Sequence, residues 1–124
     1  MGSDIFTNLR INEVDVDGAL HRLYDDENLY VELLRDFGQD TTVTNLKTAI
    51  QNKDWDNAFT AAHALKGLAA NMGFVLLFQS ISELIVLIRT GRIDEIGPIL
   101  RAVDYDYKKI IDIIQNSSIM IEGE

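Results

Sequence analysis

Apolar residues recur every three or four positions through most of the chain, which is the spacing of an amphipathic α-helix. Segments with this spacing cover about 15–23, 28–51, 55–72, 74–90 and 98–116. The long second segment contains Gly38 followed by Gln39-Asp40-Thr41, so the pattern allows either a kink or a short interruption there. Neither the alternating pattern of a β-strand nor an Asn-Gly hairpin signal occurs.

Capping residues set the expected ends of these helices. Asp25-Asp26-Glu27-Asn28 forms a polar break that can cap the second segment, and Asp54 is placed to cap the third, which runs from Trp55 to about Met72. Gly73 and Gly91 are natural stops for the third and fourth segments. Gly97-Pro98 begins the last helix, since proline is well suited to the first helical turn.

Long helices with short connections favour an all-α fold. The predicted architecture is an up-down-up-down four-helix bundle with a short additional N-terminal helix lying across one end. The bundle is expected over residues 13–116, preceded by a loosely ordered N-terminal lead-in (1–12) and followed by a flexible C-terminal tail (117–124). No internal repeat is visible, which argues against a solenoid.

Composition narrows the function classes. The 124 residues are 47% hydrophobic, which fits one globular domain, and the lack of cysteine excludes disulfides and zinc–thiolate sites. A net charge of −9 disfavours binding to nucleic acid or to anionic membranes. The longest apolar run, Leu84–Ile88, is too short to cross a bilayer, and no signal peptide precedes the first helix. We therefore expect a cytoplasmic protein without membrane insertion, and a monomer, because no second apolar seam is evident.

The third predicted helix contains the candidate chemistry. Its core-facing stripe consists of Ala58, Ala62, Leu65, Ala69 and Met72. A second stripe at helical spacing consists of His63, Lys66, Gly67, Ala70 and Phe74. The second stripe places a titratable nucleophile beside a cation and two very small residues. Glycine inside a helix costs about 1 kcal/mol relative to alanine, and we expect close access to the imidazole to compensate for this cost.

This arrangement suits a histidine that receives a phosphoryl group from a partner protein. An unperturbed imidazole has a pKa of about 6.5, so it is largely neutral and nucleophilic at neutral pH. The Lys66 ammonium can offset the charge of the phosphoryl oxygens. Phosphoryl transfer requires mainly positioning and charge stabilisation. The chain therefore needs no cofactor or metal of its own if Mg²⁺ is bound by the partner.

The same residues carry a family resemblance. The run His63-Ala-Leu-Lys66-Gly67, continued by Ala69-Ala-Asn-Met-Gly73-Phe74, resembles the signature of histidine phosphotransfer (HPt) domains. Residues 14–23, 29–37 and 84–91 are similar to neighbouring parts of that family. The resemblance implies a four-helix bundle that relays phosphate between response-regulator receiver aspartates in a multistep two-component phosphorelay, without kinase activity of its own. It also implies that His63 is the phosphoacceptor, that Lys66 and Gly67 assist it, and that Gly73 ends the helix.

Two positions depart from the family pattern. Leu68 replaces a small or hydroxylated residue and is expected to alter hydrogen bonding beside the site, whereas Ile85 replaces a glutamate and is expected to change the surface met by the partner. Ala70, Asn71, Phe74 and Leu77 are the candidate partner-binding residues. The apolar excess at 74–78 and 84–88 is explained either by extra core burial or by an exposed docking patch.

Other function classes have less support. Hydrolase and zinc-protease motifs, Glu-x-x-His metal repeats and glycine-rich ATP loops are all absent, so the chain is predicted to be a phosphoryl carrier and not an enzyme. The expected partners are receiver domains and a histidine kinase. Two alternatives stay open: an HPt-like adaptor that binds receivers or kinases without carrying phosphate, and the phosphoacceptor domain of a chemotaxis-type histidine kinase.

Overall fold

The protein is α-helical in its computed structural model, which describes residues 2–117 and the side chains from residue 5 onward. The elements are α1 (Gly2–Ile11), α2 (Val16–Arg22), α3 (Glu27–Gly38), α4 (Thr42–Gln51), α5 (Trp55–Met72), α6 (Val75–Arg89), a 3₁₀ turn (Ile93–Glu95) and α7 (Ile96–Gln115). The described residues form no strand, and one isolated bridge joins Val14 to Phe74. The all-α prediction is confirmed. None of the helices in this range is long and apolar enough to span a membrane.

Successive helices pack side by side. The main contacts are α4 on α5, α5 on α6 and α6 on α7, while α1 and α3 pack against α7. The short connections that follow α4 let α5, α6 and α7 each pack along the helix before it. The largest fully buried side chains of the core come from α1 and from α3 through α7: Ile5, Leu9, Tyr30, Leu34, Leu46, Leu65, Leu77, Ile81, Leu84 and Ile114, with Phe74 from the α5–α6 connection.

The N-terminal segment differs from its prediction. Residues 1–12 were expected to form a loosely ordered lead-in, and this is wrong, because α1 is a helix that occupies most of them. Ile5, Phe6 and Leu9 are almost completely buried. The Phe6 ring lies 5.6 Å from the ring of Tyr30 on α3. Apolar residues at positions 5, 6 and 9 share one helix face, and burial of that face against the bundle orders the segment. Of the tail expected at 117–124, residues 118–124 lie outside the described residues.

The long second segment is two helices. Of the two possibilities left open by the sequence, the interruption is the one observed, with α3 ending at Gly38 and α4 beginning at Thr42. The Asp40 carboxylate accepts a hydrogen bond from the Thr42 backbone N–H at 2.7 Å, which satisfies one of the free donors at the start of α4. The predicted caps Asp26 and Asp54 both accept backbone N–H groups of the helices that follow them.

The end of α5 is closed by glycine. Gly73 has a φ of +79°, the left-handed conformation that a side chain disfavours. Its carbonyl accepts a 2.8 Å hydrogen bond from the backbone N–H of Asp15, just before α2. A Cβ at position 73 would lie 2.3 Å from the Asp15 carbonyl oxygen. Both the backbone angle and the close approach of α2 therefore require glycine here.

Two side chains from other helices bind the remaining carbonyl groups at this end of α5. The buried phenol of Tyr30 donates to the Met72 carbonyl at 2.9 Å. Arg22 of α2 donates to the carbonyls of Ala70 at 2.8 Å and Asn71 at 3.1 Å. These bonds satisfy carbonyls that have no partner within the helix, and they fix α5 relative to α2 and α3.

Replacing Gly73 by alanine should lower the free energy of unfolding by at least about 2 kcal/mol, because left-handed strain and backbone overlap both oppose the methyl group. Gly91→Ala is the matched control. Gly91 also has a positive φ, +72°, but a Cβ there meets nothing within 4 Å. The loss in free energy of unfolding for Gly91→Ala should therefore come from backbone strain alone and be about 1 kcal/mol. Urea unfolding of both variants measures the difference, and equal losses would show that the contact with Asp15 is unimportant.

Tyr30→Phe should lower the free energy of unfolding by about 1 kcal/mol at neutral pH, because it leaves the Met72 carbonyl without its donor. Burial raises the pKa of the Tyr30 phenol above its ordinary value. The unfolded phenol ionises at about pH 10, so the wild type should lose stability relative to Tyr30→Phe as the pH rises above that value. Urea titrations from neutral pH to about pH 11 test this, and a difference that grows with pH would contradict it.

Candidate functional site

The orientation of α5 follows from its small core residues. Ala58, Ala62, Leu65, Ala69 and Met72 are all buried against the neighbouring helices, as their spacing predicts. Since a helix that buries one stripe exposes the opposite one, His63, Gly67 and Ala70 are exposed at the surface. The burial predicted for the first stripe is observed, and of the second stripe His63, Gly67 and Ala70 are exposed, whereas Phe74 is buried.

The imidazole of His63 has few contacts. Within the described part of the chain it makes no hydrogen bond and no ion pair. Its recorded neighbour is the ring of Phe59, one helical turn earlier, with ring centroids 5.8 Å apart and the planes tilted by 40°. Both ring nitrogens are therefore free of protein partners, and either can act as an acceptor or a nucleophile.

Two basic side chains lie on aromatic rings next to His63. The Lys66 ammonium lies 5.5 Å from the centroid of the Phe78 ring on α6. The Arg89 guanidinium carbon lies 5.7 Å from the centroid of the Phe59 ring. Neither cation has a carboxylate partner among residues 5–117. Both charges are therefore available to an incoming anion.

Several other basic residues are paired with acids. Lys47 of α4 and Lys108 of α7 both form ion pairs with Asp104. Burial acts to raise the pKa of Asp104, but hydrogen bonds and charge from the two lysines outweigh it and hold that pKa below its ordinary value. Arg92 is similarly paired with Glu95 within one turn. Positive charge without a paired acid thus occurs beside His63 although the chain as a whole carries −9.

The surface around Gly67 is open. A Cβ built on this glycine meets no atom within 4 Å, so neither packing nor backbone conformation requires glycine at this position. Ala70 and Asn71, the next exposed positions toward the end of α5, are also free of covering side chains from the bundle core. Gly67 and Ala70 thus form an open platform of small residues on α5, and the imidazole lies at its edge, as the sequence predicts.

The prediction is wrong for two of the candidate partner-binding residues. Phe74 and Leu77 are 1% and 0% exposed, so they belong to the core and cannot contact a partner. The prediction fails because apolar spacing cannot separate two buried faces of a helix from one buried and one exposed face. Ile85 is also buried, so it does not change the surface met by a partner, and Leu68 is partly buried against the core.

Other side chains provide the apolar surface near the site. Val75 at the start of α6 is 40% exposed, and Phe78 is half-buried. Together with Ala70 and Arg22 they line a shallow depression between α2, α5 and α6. The depression lies toward the C-terminal end of α5 from Lys66, and it exposes both apolar and polar groups.

Sequence reasoning did not identify Phe59 and Arg89. Phe59 could have been found, because it precedes His63 by four residues and therefore lies on the same face of α5. Arg89 could not, because its approach depends on how α6 packs against α5. Groups of three or more acidic, histidine or cysteine residues suited to a metal ion are absent from the described range.

Comparison with known protein families gives one match. The model of the family described as the Hpt domain matches residues 30–115, more than half of the chain. Comparisons with curated proteins and with solved structures give no match. The matched range includes α5, with His63, and all the helices that pack against it except α2. The chain therefore belongs to the Hpt domain family, the histidine phosphotransfer modules of two-component signalling.

Proposed function

We propose that His63 accepts a phosphoryl group from the aspartate of one response-regulator receiver domain and passes it to the aspartate of another. The observation that supports this most directly is the exposed imidazole, which has no hydrogen-bond partner in the described chain and lies beside unpaired cations. A histidine with a structural role would instead be packed or hydrogen-bonded. Membership of the Hpt domain family supports the same reaction.

The transfer step balances without any group from outside the two proteins. An unprotonated ring nitrogen of His63 attacks the phosphorus of the donor's aspartyl phosphate. A nitrogen–phosphorus bond forms while the bond between phosphorus and the carboxylate oxygen breaks, and the electron pair leaves with the carboxylate. The other ring nitrogen keeps its proton. The phosphoramidate bond retains a high transfer potential, so the reverse chemistry delivers the group to a second receiver.

Lys66 supplies positive charge to the transferred group. In the free protein its ammonium rests on the Phe78 ring. A cation–π contact at an exposed site stabilises by only about 0.5–1 kcal/mol, so the flexible side chain can leave the ring at little cost. A charge-assisted hydrogen bond to a phosphoryl oxygen is stronger than that contact. Mg²⁺ and the acidic residues that bind it belong to the receiver in this scheme.

The receiver contacts the exposed surface formed by α5 and the start of α6. Ala70 and Asn71, predicted from the sequence, lie on this surface, and Val75 and Phe78 extend it. Small residues along α5 allow the partner backbone to approach the imidazole, while the partly exposed apolar side chains supply the dehydrated centre that protein interfaces use. The protein acts as a carrier in the cytoplasm and binds one receiver at a time.

His63→Gln should abolish phosphoryl acceptance because it removes the nucleophile. His21, exposed on α2, provides the matched control, and His21→Gln should accept phosphate like the wild type. The measurement is label transfer from a panel of phosphorylated receivers, followed by acid and base treatment of the product. The label should be acid-labile and base-stable, as a phosphoramidate is.

Label that persists in His63→Gln would show that another residue is the acceptor. If no phosphorylated receiver labels the wild type while a histidine kinase with ATP does, the chain is a direct phosphoacceptor of a kinase. If neither donor labels it but receivers still bind, the adaptor alternative is correct.

Gly67→Leu should reduce transfer from a receiver at least about tenfold, because a bulky side chain on the platform keeps the partner backbone away from the imidazole. Since nothing in the fold requires glycine there, Gly67→Ala should raise the free energy of unfolding by about 0.5–1 kcal/mol. Labelling by the small donor phosphoramidate provides the control. It should stay normal in both variants, because a small donor needs no platform. Loss of that reaction too would mean that Gly67 acts on the imidazole itself.

A further inference from the structure

We infer that Phe59, braced by Arg89, is a positioning residue that holds the imidazole of His63 in the orientation required for phosphoryl transfer. This inference rests on the proposed function, because it assigns a role within that reaction. Two contacts support it: His63 packs against Phe59 on the same face of α5, and Arg89 of α6 lies over the Phe59 ring.

The imidazole of His63 has few restraints on its rotation. Active-site histidines are usually oriented by a hydrogen bond to one ring nitrogen. His63 has no such bond in the described chain, and it is exposed on the outer face of α5. Its one recorded ring contact is with Phe59, at 5.8 Å between centroids. Packing against Phe59 is therefore what restricts the rotation of the imidazole.

Phe59 is itself restrained by a residue of α6. Its side chain is only half-buried, so the core does not fix the whole ring. Arg89, the last residue of α6, lies with its guanidinium carbon 5.7 Å from the ring centroid. A planar guanidinium stacks on an aromatic face in a way that an ammonium does not. Because Arg89 has no acidic partner within residues 5–117, no competing ion pair draws it off the ring.

The rings of the two cation–π pairs in the site differ in what they contact. Phe78 contacts the Lys66 ammonium and so holds a cation in place. Phe59 contacts both a cation and the nucleophile. The chain from Arg89 through Phe59 to His63 thus links the end of α6 to the acceptor ring, and it fixes the direction in which the ring nitrogens face.

Loss of this orientation should lower the rate of transfer and leave the affinity for the receiver unchanged. Misplacement of a reacting group by a fraction of its bond-forming distance costs about tenfold or more in rate. Phe59→Leu should therefore reduce the transfer rate at saturating phosphorylated receiver about tenfold, with the receiver concentration at half-maximal rate unchanged. Phe59→Tyr keeps the ring and should restore the rate to within about twofold of the wild type.

Tyr105→Leu is the matched control for these variants. Tyr105 on α7 is also an exposed ring beneath a cation, with the Lys109 ammonium 5.3 Å from its centroid. Its loss should leave transfer unchanged. An effect of Phe59→Leu on half-saturation alone, with the maximal rate preserved, would overturn the inference and assign Phe59 to receiver docking.

A double-mutant cycle tests whether Arg89 acts through Phe59. Arg89→Lys retains the charge and loses the planar guanidinium, so it should slow transfer in the wild-type background. It should have no further effect when combined with Phe59→Leu. Normal transfer in Arg89→Lys would overturn the bracing role of Arg89 and leave its charge as the contribution. Additive losses of rate in the double variant would likewise show that Arg89 does not act through Phe59.

A measurement without any phosphate donor separates this inference from the proposed function. Three-bond couplings in isotope-labelled protein report the χ1 rotamer populations of His63. A single rotamer in the wild type, averaged among several in Phe59→Leu and restored in Phe59→Tyr, would support positioning even if no receiver donated phosphate. Averaged rotamers in the wild type would overturn the inference, whatever the transfer assays show.

Discussion

The burial of the alanine-rich stripe of α5 is the interaction on which the rest of the structure depends. Ala58, Ala62 and Ala69 let α4 and α6 approach α5 closely, because a methyl group occupies little space between helices. With that stripe directed inward, helical geometry leaves His63 no position except on the outer surface. The chemistry of the site is thus a consequence of which side of α5 enters the core.

The C-terminal end of α5 is fixed by hydrogen bonds to neighbouring elements. Gly73, Tyr30 and Arg22 bring the carbonyl end of α5 into contact with the loop before α2 and with α2 and α3 themselves. Every one of these bonds satisfies a polar group that the helix cannot satisfy itself. These bonds therefore fix the position of α5, and with it the position of His63, relative to α2 and α3.

The distribution of charge separates the site from the rest of the surface. An acidic chain disfavours anions in general, and most of its ion-paired cations lie far from α5 in sequence. Lys66 and Arg89 are instead held on aromatic rings, and no carboxylate among residues 5–117 neutralises them. An aromatic ring keeps a cation in place without cancelling its charge. Positive charge is thereby held close to His63 without being cancelled.

Local periodicity and local hydrogen bonding were enough to predict from the sequence the approximate extents of α2, α5, α6 and α7, the cap at Asp54, the stop at Gly73 and the exposure of His63. Tertiary structure decided which further apolar faces are buried. It made α1 part of the core, it placed Phe74, Leu77 and Ile85 inside, and it brought Arg89 from α6 onto Phe59. Contacts between residues distant in the chain depend on how helices pack, and the spacing of apolar residues within one helix does not contain that information.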